Sequence, residues 1–191
     1  MMLARSEPTE KVTHTEVIMS TATSAKTTIP DGLDATVLAR VIEEGYGPGA
    51  WHGADLKAAL ADVAPELAFW RPAPERHCIA EIALHHAYCT RSVRGQLAGT
   101  QPEPFVLEGE DWFDLSDRAG LTWPEILAVV DAEQRRLATV VADIAAGRVR
   151  PSLGDADRFD LVLGITCHAV YHAGQVQLIK RLHLWSVTEV A

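Results

Sequence analysis

The chain has 191 residues, of which 48% are hydrophobic and 23% are charged, so its composition is that of one globular domain rather than a disordered chain. Its formal net charge is −9 and its lysines and arginines are scattered, which argues against nucleic acid as a partner, because nucleic-acid binding requires a clustered basic face. No apolar run approaches the roughly 18 residues of a membrane-spanning helix, so we expect no membrane partner either.

The N-terminal segment and the cysteines indicate the expected cellular location of the protein. Residues 1–30 are rich in Thr and Ser, carry charges throughout and lack the apolar segment of a secretory signal. We therefore predict a flexible tail over 1–30 and a single domain over 31–191, and Met19 also opens a plausible reading frame. Three cysteines cannot all pair within one chain, and none forms a Cys-x-x-Cys motif, a pattern typical of a reducing compartment. The expected location is the cytoplasm.

The first half of the domain is predicted to be helical. A first helix runs over about 33–44 and stops in a Gly- and Pro-rich segment at 45–49, where continuation is costly. A second helix begins near Ala54, with leucines and a valine at helical spacing, and ends before Arg71-Pro-Ala-Pro74. A third runs over about 75–98, and Gly99 follows it where a left-handed C-terminal residue is often required.

The second half of the chain is predicted to contain two further helices. Residues 100–121 form a long connector, after which Thr122-Trp-Pro-Glu125 fits a capping box that opens a helix ending near Ala146. The last helix, over about 157–184, is the longest.

These elements predict an all-α fold, an antiparallel four-helix bundle with an extra N-terminal helix. An α-helical solenoid is the weaker alternative, because the sequence has no internal repeat.

Two histidines of the last helix share its apolar stripe. His168 and His172 are separated by one turn and follow Leu161 and Ile165 at steps of three and four residues, so both should point into the bundle. Imidazoles at this spacing can both reach a metal at about 2.0–2.1 Å. Metalloproteases use such a pair, although their intervening glutamate is absent here.

A third ligand is available on the apolar side of the third helix. His85 and His86 both border its stripe, and spacing alone does not choose between them. A lone inward histidine is more often a hydrogen-bonded core residue than a ligand. A spaced pair with a third histidine near by favours a metal site over that interpretation.

Four segments resemble the DinB/YfiT-like superfamily of four-helix metalloproteins, which includes bacterial thiol S-transferases. His168-Ala-Val-Tyr-His172-Ala-Gly-Gln175 resembles the last-helix motif of the family, and His77-Cys-Ile-Ala-Glu-Ile-Ala-Leu-His85 resembles the stretch around its first metal ligand. Ala50-Trp-His-Gly53 and Arg71-Pro-Ala-Pro74 are similar to weaker family segments. The resemblance covers roughly residues 33–184.

The resemblance implies a ligand set. In the family pattern the first ligand falls six residues after an isoleucine, which selects His85 over His86 and gives the ligands His85, His168 and His172. His77 stands where the family often has an aromatic residue and His86 where an apolar one is common, so both could alter the lining of the pocket. The family also implies a homodimer.

Other residues have a functional and a structural interpretation each. His52 could orient substrate, although shaping a turn is the favoured alternative. Glu81 could orient His85 or act as a base, or could be a solvated helix residue.

Gln175 could hold His172 or bond between helices. Tyr171 could bind substrate, although helix packing is favoured. Cys89 is favoured as a core residue over a fourth ligand.

Three neutral ligands would leave the positive charge of a divalent ion uncompensated and one coordination position open. This is the layout of a catalytic metal site. The leading hypothesis is a thiol S-transferase, in which the ion activates a low-molecular-weight thiol to attack an electrophilic substrate. Zinc or nickel is expected, with iron or manganese as alternatives.

Two other functions are kept open. A metal-dependent hydrolase would use metal-bound water, with Glu81 or His52 as the proton acceptor. A non-catalytic bundle would hold a structural metal or none and act through a partner surface.

Overall fold

The computed structural model describes residues 34–116 and 120–188, so the tail predicted over 1–30 lies outside the described residues. Within them the chain forms helices and connectors and no strand, which confirms the all-α class. The six helices are α1 (Ala35–Gly45), α2 (Leu56–Ala61), α3 (Pro65–Ala68), α4 (Ile79–Ala98), α5 (Trp123–Ala145) and α6 (Asp155–Thr188). None of these helices combines the length and hydrophobicity that crossing a bilayer requires.

Four helices provide the main packing of the domain. Both α1 and α4 contact α5 and α6, and α4 also contacts the short helix α3. The buried apolar residues form two clusters. The larger cluster joins α2 and α4 to the start of α5 and the second half of α6, and the smaller one joins α1 to the ends of α4 and α5 and the first half of α6.

The prediction of one continuous second helix is wrong. It is split into α2 and α3, because Pro65 lacks an N–H group and disfavours helical geometry at the residue before it. Ala64 accordingly has extended backbone (φ −71°, ψ 151°), and Pro65 takes the first position of α3, where its missing donor costs nothing. The helix predicted as the extra one, α1, packs against both α5 and α6.

Capping residues fix the ends of the two helices on either side of the long connector. Thr122 and Glu125 form the predicted capping box of α5. The third predicted helix begins at Ile79 rather than near residue 75, because Cys78 and Glu81 form a second capping box there. Gly99 ends this helix in a left-handed conformation (φ 66°), as predicted.

Candidate metal centre

Three imidazoles from two helices meet in the interior. His85 lies on α4, and His168 and His172 lie one turn apart on α6. The Nε2 atom of His168 is 3.0 Å from the Nε2 atoms of both other rings. The three rings form a group whose potential ligand atoms all lie within 4.8 Å of one another. The structure thus brings together the three histidines that the sequence predicts as ligands.

Hydrogen bonds on the far side of two rings set their tautomers. The Nδ1 atom of His85 is 3.0 Å from the carbonyl oxygen of Asp111 and 3.1 Å from its carboxylate. The Nδ1 atom of His172 is 2.6 Å from the side-chain oxygen of Gln175. Oxygens of these kinds accept, so both Nδ1 atoms carry the proton and donate. Both Nε2 atoms are left with a lone pair directed at the centre of the group.

Burial keeps these rings neutral. It lowers the pKa of His168 to about 3 and that of His172 to about 4, and it lowers the pKa of His85 against the opposing effect of Asp111. Neutral rings are the form that binds metals.

The three imidazole nitrogens meet the geometric and chemical requirements of a divalent ion. Nitrogens that share one tetrahedral zinc ion at about 2.0–2.1 Å lie about 3.3 Å apart, close to the observed 3.0 Å. Three neutral imidazole donors suit zinc, nickel, copper or iron. The residues present therefore fit a divalent metal ion, with three protein ligands and room for an exogenous one.

The long connector supplies the partner of His85, which the sequence analysis did not identify. Asp111 has a positive φ of 62°, which is uncommon for a residue other than glycine and is often found at functional sites. The next residue, Trp112, stacks on the His85 ring at 3.9 Å and, with its other face, on His77 at 3.7 Å. The unusual length of the connector was the available signal, since long loops in compact domains are often functional.

Two of the alternatives for Glu81 are wrong: Asp111 and not Glu81 accepts the hydrogen bond of His85, and Glu81 is 1% exposed rather than solvated. Glu81 is buried and accepts hydrogen bonds from the Arg71 guanidinium, from two backbone N–H groups and from His77 Nδ1 at 3.2 Å. Burial alone would raise its pKa, but the hydrogen bonds from His77, Leu115 and Arg71 outweigh it and lower the pKa of Glu81 to about 2. It is therefore an anionic centre of a packed network and a poor direct base.

His52 lies outside the group of three. Its Nε2 atom is 2.8 Å from the backbone oxygen of Glu44, and it is not among the residues that line the cavity beside the imidazoles. This placement favours the turn-shaping interpretation.

Cys89 lies close to the site without joining the three imidazoles. Its sulfur is 3.9 and 4.0 Å from the two ring nitrogens of His85, and it forms with His85 and Asp111 a second group that could hold an ion. Burial raises the pKa of the Cys89 thiol to about 12, and its sulfur is not part of the group that the three imidazoles form. The structural interpretation of Cys89 is favoured.

A cavity of about 730 Å³ borders the three imidazoles. Its wall is mainly apolar, with four polar side chains besides the three histidines: Arg76, His77, Tyr171 and Gln175. The Tyr171 hydroxyl accepts a hydrogen bond from the Gln175 amide at 3.1 Å, which couples the cavity wall to the residue that holds His172. A mainly apolar cavity with a few convergent polar groups is the usual form of a small-molecule site.

The chain was also compared with known proteins. Residues 50–176, which include all three histidines, match the family described as the DinB superfamily. No significant match was found among curated proteins or among solved structures.

Proposed function

The chain belongs to the DinB superfamily, and from this membership and the three convergent imidazoles we propose that it is a metal-dependent thiol S-transferase. His85, His168 and His172 are the proposed ligands and zinc or nickel the proposed ion. The four-helix bundle is part of the proposal, but with a changed membership: α1, which was predicted to be an extra helix, is proposed to form the antiparallel bundle with α4, α5 and α6. A cytoplasmic homodimer is part of the same proposal and rests on the composition and the family resemblance.

The observation that carries the proposal is the orientation of the rings. Two Nε2 lone pairs are fixed toward the centre by acceptors behind them, and the third ring lies 3.0 Å from both. Lone pairs that face one another in a buried space lower the stability of the folded state unless a proton or a cation lies between them. A divalent ion bound there supplies a positive charge that lowers the pKa of a coordinating thiol and holds its sulfur in place.

The cavity has room for both substrates next to the imidazoles. Its apolar wall, which includes Ile82, Trp112 and Ile179, would exclude water from the reacting atoms. The sulfur would form a bond to the electrophilic carbon, and the leaving group would depart with the electron pair of the bond that breaks.

The proton of the thiol requires an acceptor, and we assign it to His77. This residue lines the cavity, and its Nδ1 atom faces the Glu81 carboxylate at 3.2 Å, which leaves Nε2 to accept. Glu81 would thus act through His77, as a positioning residue. The two proton acceptors predicted for the hydrolase alternative have less support, because Glu81 is enclosed in its network and His52 does not line the cavity.

The test combines metal analysis with a thiol-transfer assay on the full chain. The wild type, His168→Ala/His172→Ala and the control His183→Ala are loaded with zinc or nickel and incubated with a fluorogenic bimane halide and bacillithiol, mycothiol or glutathione. His183 is the matched control, because it lies on the same helix but contacts Trp70.

We expect about one metal per chain and thiol-dependent product in the wild type and the control, and neither in the double variant. Metal binding without product for any thiol would contradict the transferase and leave the metal centre standing. Absence of metal from the wild type would contradict both the metal centre and the transferase activity.

A further inference from the structure

The fourth histidine of the interior has no role in the proposed ligand set, and we propose that His86 is a positioning residue that fixes the tautomer of His168 for metal binding. The inference rests on the proposed metal centre and is independent of the thiol-transfer activity. His86 is only 1% exposed, and its Nδ1 atom is 3.2 Å from the Nδ1 atom of His168. It therefore contacts the ring nitrogen of His168 that does not face the other two ligands.

The neighbouring hydroxyl indicates which nitrogen of His86 carries the proton. The Thr90 hydroxyl donates to the backbone oxygen of His86 at 2.9 Å, so its hydrogen is already used. The same oxygen is 3.3 Å from His86 Nε2 and is left to accept. A proton on His86 Nε2 satisfies this contact and leaves a lone pair on His86 Nδ1.

That lone pair determines the state of His168. Between two Nδ1 atoms only one can donate, so His86 accepts and His168 Nδ1 carries the proton. His168 Nε2 then has its lone pair directed at His85 and His172. Each of the three proposed ligands thus has an acceptor behind it: the carbonyl of Asp111, the amide oxygen of Gln175 and Nδ1 of His86.

Removal of this acceptor would oppose metal binding in two ways. With an apolar residue at position 86, the Nδ1–H group of His168 would be buried without a partner, which is costly. The ring could escape this cost by carrying its proton on Nε2, where the proton would block the metal. Partners behind a metal-binding histidine typically contribute about 10–100-fold in metal affinity.

The test measures zinc affinity of the full chain by competition with a chromophoric chelator. We expect His86→Leu to weaken zinc binding about 10–100-fold. His86→Asn should recover most of the loss, because its amide oxygen occupies nearly the place of Nδ1 and can accept. Thr90→Val should weaken binding about 2–10-fold, the effect of one hydrogen bond.

Thr166→Val is the matched control for the threonine variant. Thr166 is also buried in a helix and donates to a carbonyl four residues earlier, as Thr90 does. Among the described residues no histidine ring bonds to the Thr166 hydroxyl, so we expect zinc affinity to be unchanged.

Nitrogen-15 spectra of the histidine rings in the zinc-loaded wild type give a second readout. They should show the proton of His168 on Nδ1 and that of His86 on Nε2. If circular dichroism shows that His86→Leu does not fold, these spectra and the comparison of Thr90→Val with Thr166→Val decide the question.

Three results would overturn the proposal. The first is wild-type affinity in His86→Leu. The second is a loss of zinc in both His86→Leu and His86→Asn as complete as in His168→Ala, which would make His86 a ligand. The third is a proton on His86 Nδ1 in the spectra. A wild type that binds no zinc would remove the metal centre and this inference together, whereas a protein that binds zinc but transfers no thiol would leave the inference intact.

Discussion

The same two helices, α4 and α6, meet in two interfaces of opposite character. At one, Leu97 of α4 belongs to a buried apolar cluster with Val162 and Ile165 of α6. At the other, about three turns earlier along α4, His85 and His86 contact His168. An apolar interface requires only that its volume be filled, whereas a buried imidazole requires a partner for each nitrogen. The difference indicates that the apolar interface contributes mainly to stability, whereas the polar interface contains a group of side chains that could hold an ion.

The apolar interface should govern stability without affecting the metal centre. Leu137 of α5 belongs to the same buried cluster as Leu97, Val162 and Ile165 and is 1% exposed, so Leu137→Ala removes buried surface next to this interface and leaves a cavity. We expect a loss of about 2–5 kcal/mol in the free energy of unfolding, measured by urea denaturation. The metal content of the folded variant should equal that of the wild type.

The control for this variant is Leu163→Ala, because Leu163 is 39% exposed and its truncation should cost little. Loss of metal from a folded Leu137→Ala protein would show that the two interfaces are not independent.

The polar interface should make the metal-free protein sensitive to acid. Burial holds the pKa of His168 at about 3 and that of His172 at about 4, against an ordinary value of 6.5. As the pH falls below 6.5 the unfolded chain takes up these protons first, so the folded state loses stability down to about pH 4 through His172 and down to about pH 3 through His168. Each ring can contribute up to about 1.4 kcal/mol per pH unit in this window.

This prediction is checked by measuring the free energy of unfolding of chelator-treated protein in urea between pH 6.5 and about pH 4. The double variant His168→Leu/His172→Leu is the comparison. The variant should show a shallower dependence of stability on pH. Equal slopes for the two proteins would mean that the buried imidazoles do not carry the effect.

His77→Phe separates metal binding from catalysis at the polar interface. Phenylalanine keeps an aromatic ring against Trp112 but cannot accept a proton. We expect the rate of thiol transfer to fall about 100-fold, the lower range of general-base effects, while zinc content is unchanged. An unaltered rate would exclude His77 as the acceptor.

The smallest effect is expected at His52, outside both interfaces. His52→Ala removes one exposed hydrogen bond to the Glu44 carbonyl, so stability should change by less than about 0.5 kcal/mol. Metal content and thiol transfer should stay at wild-type values. A tenfold loss of transfer would return His52 to the catalytic site.

The sequence predicted those features that depend on local pattern. Thr122 and Glu125 marked the start of α5, Gly99 the end of α4, and the spacing of His168 and His172 their common face. Spacing left His85 and His86 as alternatives, and the family resemblance chose His85, the ring that the structure places with His168 and His172.

The features that were missed are one local break in a helix and contacts between residues that lie far apart in the sequence. Apolar spacing across Pro65 suggested a continuous helix, although the proline itself was the contrary signal. The approach of Asp111 to His85 spans 26 positions and depends on an irregular loop, which has no periodicity to analyse. For Glu81, a role at the site and a solvated position on the helix were left as equal alternatives. Its partner Arg71 was not identified, because the segment that contains Arg71 was noted only as a helix end and as a weak family resemblance.

The central claim is that one divalent ion is held by His85, His168 and His172, and anomalous diffraction from crystals grown with zinc tests it most directly. We predict one strong anomalous peak within about 2.0–2.1 Å of the Nε2 atoms of these three residues, with His86 behind His168 and not bonded to the ion. A peak bound by His86, a peak at His85, Cys89 and Asp111 alone, or an interior without any peak would contradict the claim.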